Sequence, residues 1–417
     1  MNSPHPNTRL RRYCLALLLF AGTVGCSGSK PAPAVNEIDA EVASGLAARL
    51  LPSADRRLLI VGQDLDAIAG YVGTDDFPTP GGVTTYLAFY SLLSRAYPQY
   101  GALGEDAGGT PIGYDVDWGA GRLNANTAAL LYRQSALAIG LNFAEGSGDA
   151  VWAAGGLAAI ARGEHDDKID RLARFLKTID KPVYLRIGYE FDGAWNRGYA
   201  DREAYIRAYR RIADGLRAGG AERVAFVWQA SASPVDDVID GGHEDIVDWY
   251  PGDDYVDWLG LSWFLHADEG PGGGVTQRQL ADEVVALART RNKPVMIAEA
   301  APQGYDLARL TRAYSSPLRD GVAAGSERPL SAEAIWEAWF EPLFDYMDAH
   351  RDVVRALAYI NADWDSQSMW SAPYQSGYWG DSRLQVNPVI RERWRQRTDQ
   401  QNGWLHGGAD LDQSLQN

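Results

Sequence analysis

Eight short apolar runs, spaced along most of the chain, constrain what this sequence can fold into more than any other feature. They fall at 58–62 (LLIVG), 82–89 (GVTTYLAF), 135–143 (SALAIGLNF), 182–190 (PVYLRIGYE), 223–230 (RVAFVWQA), 255–264 (YVDWLGLSWF), 293–300 (KPVMIAEA) and 354–364 (VRALAYINADW). Each is brief and rich in Val, Ile and aromatics, as strands buried on both faces are. Between several of them the period changes to that of a helix. In 166–179, Ile169, Leu172, Leu176 and Ile179 form one stripe behind two aspartates. In 201–218, Asp201 is placed to cap a stripe of Tyr205, Tyr209, Ile212 and Leu216, and Gly219-Gly220 end it. Ser331 is placed to cap 331–350, where Pro342 should kink or divide the helix. Residues 276–291 and 387–398 also read as helices, and 95–123 reads as a long Gly-rich excursion.

Strands alternating with helices over about 360 residues predict a (β/α)8 TIM barrel, a single catalytic domain with loop insertions. An open doubly wound sheet is the competitor. However, no G-x-G-x-x-G follows the first run and no P-loop motif occurs. In a barrel, function gathers at the C-terminal ends of the strands. There the fourth run ends in Glu190 and the seventh in Glu299, carboxylates that follow apolar residues and would be costly if unpaired. Strand alternation puts residues 186, 188 and 190 on one face, and Gly188 leaves room for the Arg186 guanidinium to rise toward the carboxylates. A cation beside one carboxylate and apolar surroundings at the other would split their pKa values, as a glycosidase requires of its acid and its nucleophile. The formal net charge of −16 argues against a nucleic-acid partner. The 14 Trp and 21 Tyr offer surfaces on which sugar rings stack, although most aromatics in any protein are core. Trp195 and Asn196 follow the first glutamate, Trp263 closes strand six, Trp364 closes strand eight with Trp370 after it, and Gln63 closes strand one. All six, together with Arg186, are candidate substrate contacts. Asp381 is read as a partner of Arg383. The six His are scattered with no H-E-x-x-H, so neither metal nor cofactor is expected.

At "LRIGYEFDGAW" the residues resemble the acid/base segment of glycoside hydrolase family 26, a (β/α)8 family of clan A. Arg186, Glu190, Gly193 and Trp195 fill its pattern, and "KPVMIAEAAPQG" resembles its nucleophile segment. The resemblance implies that Glu190 is the acid/base and Glu299 the nucleophile of a retaining mechanism. It runs from roughly residue 57 to 395. It is nearest the β-1,3-xylanase branch, whose "YPGDDYVDWLGLSWF" and "YINADWDSQSMW" segments are similar in order. Tyr189 and Asp192 stand where mannanases carry His and Asn, positions that touch substrate in that family, so mannan is disfavoured and Tyr189 joins the candidate contacts. The expected function is therefore endo-acting hydrolysis of a β-linked polysaccharide, β-1,3-xylan first. The alternatives are a β-mannanase or another β-glycanase of the family, a non-catalytic glycan-binding lipoprotein, and a lyase on uronic polymers.

The N-terminus stands apart from the barrel. "NTRLRRY" is basic, "CLALLLFAGTVG" is apolar but too short to span a bilayer with ease, and the stretch ends at Cys26. This resembles a bacterial lipoprotein signal. It implies residues 1–25 as a signal peptide, lipidation at Cys26, a flexible tether over 26–36, a catalytic domain over 37–400 and a C-terminal tail over 401–417. Cleavage would remove three arginines and no acid, carrying the side-chain charge from −16 to −19. The expected location is the bacterial cell envelope, exported and lipid-anchored at the outer membrane or cell surface. The partners expected there are a polysaccharide substrate and the membrane lipid, with the protein a monomer.

Overall fold

The computed structural model describes residues 45–92, 101–117, 119–142, 155–193, 195–196, 199–236, 242–270, 274–313, 327–370 and 379–416. Cys26, the signal sequence and the tether lie outside these residues. All eight apolar runs form strands: β1 Arg57–Gly62, β2 Gly82–Ala88, β3 Ala136–Asn142, β4 Val183–Ile187, β5 Val224–Ala230, β6 Trp258–Trp263, β7 Val295–Ala300 and β8 Val354–Tyr359. Each pairs in parallel with the next, and β8 pairs in parallel with β1 through Ala356–Leu58 to Tyr359–Val61. The sheet is therefore a closed barrel, which leaves none of the eight strands as an open edge.

Alternation along the strands separates two cores. Leu59, Val61, Leu137, Leu185, Phe226, Leu259 and Leu357 point outward and pack under the helices. Leu58, Ile60, Ala138, Tyr184, Val227, Met296 and Ala358 point inward and fill the barrel. The outer layer includes α1 Leu65–Val72, α2 Ala125–Leu131, α3 Gly156–Arg162, α4 Asp166–Ile179, α5 Arg202–Ala218 and α6 Gln277–Arg291. Asp201 caps α5 by accepting from the Ala204 amide at 3.0 Å. Thr276 and Gln279 form a capping box on α6.

Helix α7 begins under Ser331 as Ala332–Ile335, widens into a π turn over Trp336–Phe340 and continues as Glu341–Ala349. The expected break at Pro342 is absorbed there. The wider turn falls just before the ring, which lacks an N–H, so the helix continues instead of dividing. Helix α8, Pro388–Arg397, follows its Asn387 cap. Within the Gly-rich excursion, Ala102–Glu105 and Pro111–Tyr114 pair as an antiparallel hairpin.

The C-terminal residues are part of the barrel, not a separate tail. Trp404–Leu405 (β9) pairs with the start of β1, and Leu415–Gln416 pairs antiparallel with Leu51–Pro52. Leu50, Leu51, Leu411 and Leu415 are buried against the inward-facing core and close its floor. Their apolar side chains find at the N-terminal end of the barrel the burial that a solvated tail would deny them.

Candidate active site

Strand β4 ends at Ile187, earlier than alternation through residue 190 assumed. Gly188 and Glu190 then take left-handed backbone angles, φ 55° and 52°. Glycine occupies that region freely; a glutamate there is uncommon and costs on the order of 1 kcal/mol or more. Neighbours hold the turn in place. Asn196 Nδ2 donates to the Glu190 carbonyl at 2.7 Å and to that of Tyr189 at 3.4 Å. Asp192 Oδ1 accepts from the Ser231 amide at 2.6 Å, which ties this turn to the end of β5. Phe191 stacks on Trp228 with centroids 4.3 Å apart. The Glu190 carboxyl is thereby set at the mouth. Ser262 Oγ donates to its Oε1 at 2.8 Å and Trp195 Nε1 to its Oε2 at 3.0 Å.

Glu299 reaches the mouth by a different device. On β7, Met296 and Ala298 face inward while Ile297 and Ala300 face the helices, so strict alternation would turn residue 299 outward. A register shift between Ile297 and Glu299 in the pairing with β6 breaks the alternation and re-aims the side chain. Its Oε1 accepts from Arg186 Nη1 at 2.5 Å and from the Tyr86 hydroxyl at 2.8 Å.

Arg186 has no exposed surface, whereas Glu190 and Glu299 keep 9% and 6% of theirs. The guanidinium lies 5.0 Å from the Tyr86 ring centroid and 5.1 Å from that of Tyr189. Gly140 makes this possible, because a Cβ there would stand 2.5 Å from the Tyr86 ring and 3.0 Å from Arg186 Nη2. Burial alone would lower the Arg186 pKa. The Tyr86 oxygen and the Glu299 carboxylate outweigh that and hold it above its ordinary value. The Tyr86 hydroxyl is pushed well up, by burial first and then by the Glu299 charge, so it stays a donor. Burial also pushes Asp192 up to about 6, against the amide donors of Ser231 and Ala232.

The two carboxylates thus converge on one buried network. Of the other predicted residues, Trp195 stands beside Glu190 and is 37% exposed, while Asn196 is buried and braces the backbone. Tyr189 is buried edge-on to Tyr86. Trp263 is fully buried and tilts against Tyr346 of α7, on the helix side of the barrel. Its neighbour Ser262 faces the glutamates, so alternation turns the indole away. Trp364 is also buried; it packs against Trp370 and Trp379 and donates to Ser382 Oγ at 2.9 Å. Gln63 is buried just beyond β1. Asp381 pairs with Arg383 at 2.7 Å.

Sequence reasoning missed Tyr86, Gln229 and Ser262. Each is a polar-tipped residue on the inward register of an apolar strand, and that was the available signal. It also missed a cavity of about 540 Å³ over the ends of β1 and β8, lined by Asp64, Asn361, Asp363, Gln367 and Arg383 among others. Neither glutamate lines it.

A model of the Glycosyl hydrolase family 26 matches residues 162–304. A β-1,3-xylanase of Vibrio sp is 36% identical over 361 residues, covering 85% of this chain and 67% of its own length. One of Alcaligenes sp is 35% identical over 372 residues, covering 88% and 68%. Among solved structures, the catalytic domain of the Bacillus sp. JAMB-750 GH26 endo-β-1,4-mannanase aligns with a TM-score of 0.51 at 14% identity, over 89% of this chain and 94% of that one. That last likeness is one of fold.

Proposed function

Since this chain belongs to glycosyl hydrolase family 26, and is accordingly a glycoside hydrolase, we propose that it cleaves β-1,3-xylan by a retaining, endo-acting mechanism. The observation that carries the mechanism is the meeting of Glu190 and Glu299, from the ends of β4 and β7, on one network of buried donors. Glu299 attacks the anomeric carbon as a carboxylate, oriented by Arg186 and Tyr86. As the bond to the leaving oxygen breaks, Glu190 gives that oxygen its proton. A water then attacks the glycosyl ester and loses a proton to Glu190, while the Glu299 carboxylate departs and both groups return to their starting states. Trp195, beside Glu190 and the most exposed of the candidate indoles, is positioned to meet a sugar ring. The substrate assignment rests on the two relatives named β-1,3-xylanases.

The test combines two variants with product analysis. Glu299→Gln should abolish hydrolysis. Glu190→Ala should lose activity on polymer yet keep it on aryl glycosides with activated leaving groups, and azide should rescue it further. Products should appear from β-1,3-xylan and not from β-1,4-xylan or mannan. A Glu190→Ala enzyme that degrades the polymer like the parent would remove Glu190 from the mechanism, and release from mannan alone would overturn the substrate.

A further inference from the structure

Between the two glutamates runs an unbroken chain of hydrogen bonds. Arg186 Nη1, which contacts Glu299, also donates to Gln229 Oε1 at 2.9 Å. Gln229 Nε2 donates to Ser262 Oγ at 3.0 Å, and Ser262 Oγ donates to Glu190 Oε1 at 2.8 Å. Gln229 has no exposed surface and Ser262 only 1%. They lie on β5 and β6, adjacent strands whose parallel pairing sets Gln229 against Gly260, two residues before Ser262. A Cβ at Gly260 would come within 3.0 Å of the Gln229 side chain, so this glycine leaves that side chain its place.

The direction of the chain follows from chemistry alone. A guanidinium can only donate, so the Gln229 amide must turn its oxygen toward Arg186 and its nitrogen toward Ser262. Ser262 Oγ therefore accepts, and its own hydrogen is directed to Glu190 Oε1. Every bond points the same way, from Arg186 to Glu190. Both carboxyl oxygens accept, but Oε1 does so at 2.8 Å from a hydroxyl polarised through Gln229 by Arg186, a stronger donor than the Trp195 indole that reaches Oε2 at 3.0 Å, so Oε1 is the poorer of the two to carry a proton. We propose that the Gln229–Ser262 relay fixes the catalytic proton of Glu190 on Oε2, the oxygen beside Trp195, and that Ser262 and Gln229 are positioning residues that tune the acid. The relay also links the two carboxylates through Arg186, Gln229 and Ser262, so loss of charge at Glu299 is transmitted along it to Glu190.

This inference rests on the assignment of Glu190 as acid/base, and the experiment separates the two. Ser262→Ala removes one donor from the ionised form of Glu190, so the basic limb of the kcat/KM profile should move up by about half a unit to one unit, with the acid limb unmoved. Its rate should fall roughly tenfold on β-1,3-xylan, and at least about fivefold less on an aryl glycoside with a 2,4-dinitrophenolate leaving group, which needs little protonation. Ser262→Thr, which keeps the hydroxyl, should restore the profile. Gln229→Leu should reproduce the upward shift in weaker form, since it leaves Ser262 in place but unpolarised. An unmoved basic limb in Ser262→Ala, or equal losses on both substrates, would overturn the relay while leaving Glu190 as the acid. If Glu190→Ala shows no dependence on the leaving group, the assignment itself falls and the relay with it.

Discussion

At the level of single residues, the site is a problem of seating the Glu299 carboxylate in a place with little water. Arg186 and Tyr86 solve it together, one with a full charge and one with a neutral hydroxyl that burial keeps protonated. The two contributions are separable. Arg186 cannot be removed cleanly, because a buried carboxylate without its cation costs several kcal/mol and endangers the fold. Tyr86 can. Tyr86→Phe keeps the ring against Tyr189 and Arg186 and removes the hydroxyl that donates to Glu299 and also bonds Arg186. A hydrogen bond to a charged group contributes about 1.5–3 kcal/mol, so kcat/KM on polymer should fall roughly 10- to 100-fold with little change in melting temperature. Steady-state kinetics beside thermal melts would check this. A variant with parental kinetics would mean that Arg186 alone orients the nucleophile.

At the level of elements, both glutamates depend on strands that stop being regular where the two carboxyl groups emerge. On β4 the irregularity is a turn with two left-handed residues, and on β7 it is a register shift. Neither was legible in the sequence. The motif around Arg186 and Glu190 picked out residues that the fold brings onto one hydrogen-bonded network, but alternation was carried three residues past the real end of the strand. The placement of Glu299 is not deducible from alternation at all, since the shift is a backbone event with no residue signature in "VMIAEA". Trp263 and Ser262 show the same limit from the other side. Their strand was clear, but which of two adjacent residues faces in depends on a register that only the closed barrel defines.

The turn after β4 also carries a pH signature through Asp192, which links it to the β5 turn. Burial raises that carboxyl to about 6, so the folded state holds its proton more tightly than the unfolded chain does. The sign follows: the contribution to stability is fully present below about pH 4, the unfolded value, and is lost as pH rises through 6. Asp192→Asn keeps an acceptor for the Ser231 amide and cannot ionise. Its melting temperature should therefore fall less than the parent's between pH 4 and 7, the difference amounting to a few degrees. Parallel curves for the two proteins would show that Asp192 ionises at its ordinary value.

For the molecule as a whole, the barrel and its order of strands were readable from the eight runs, because a strand buried on both faces leaves a dense apolar signature. The closure of its floor was not readable. "GGADLDQSLQN" looks like a polar tail, but its two leucines, Leu411 and Leu415, are each buried against the interior core beside Leu50 and Leu51. The pairing of Leu51–Pro52 with Leu415–Gln416 brings residues from near both ends of the described chain together beneath the barrel, far from the glutamates at the opposite rim. This arrangement puts the packing of the floor and the candidate site at opposite faces, the division between stability and function that barrels commonly show. Leu415→Ala should cost about 2–5 kcal/mol by the usual measure for a buried leucine, toward the low end if the floor relaxes around the void. Because the lesion lies at the floor, kcat and KM measured well below the melting transition should stay close to parental. Urea denaturation with parallel kinetics would decide it. A parental midpoint would return residues 401–417 to the status of a dispensable tail, and a loss of turnover at parental stability would show that floor and mouth are coupled through the barrel's interior layers.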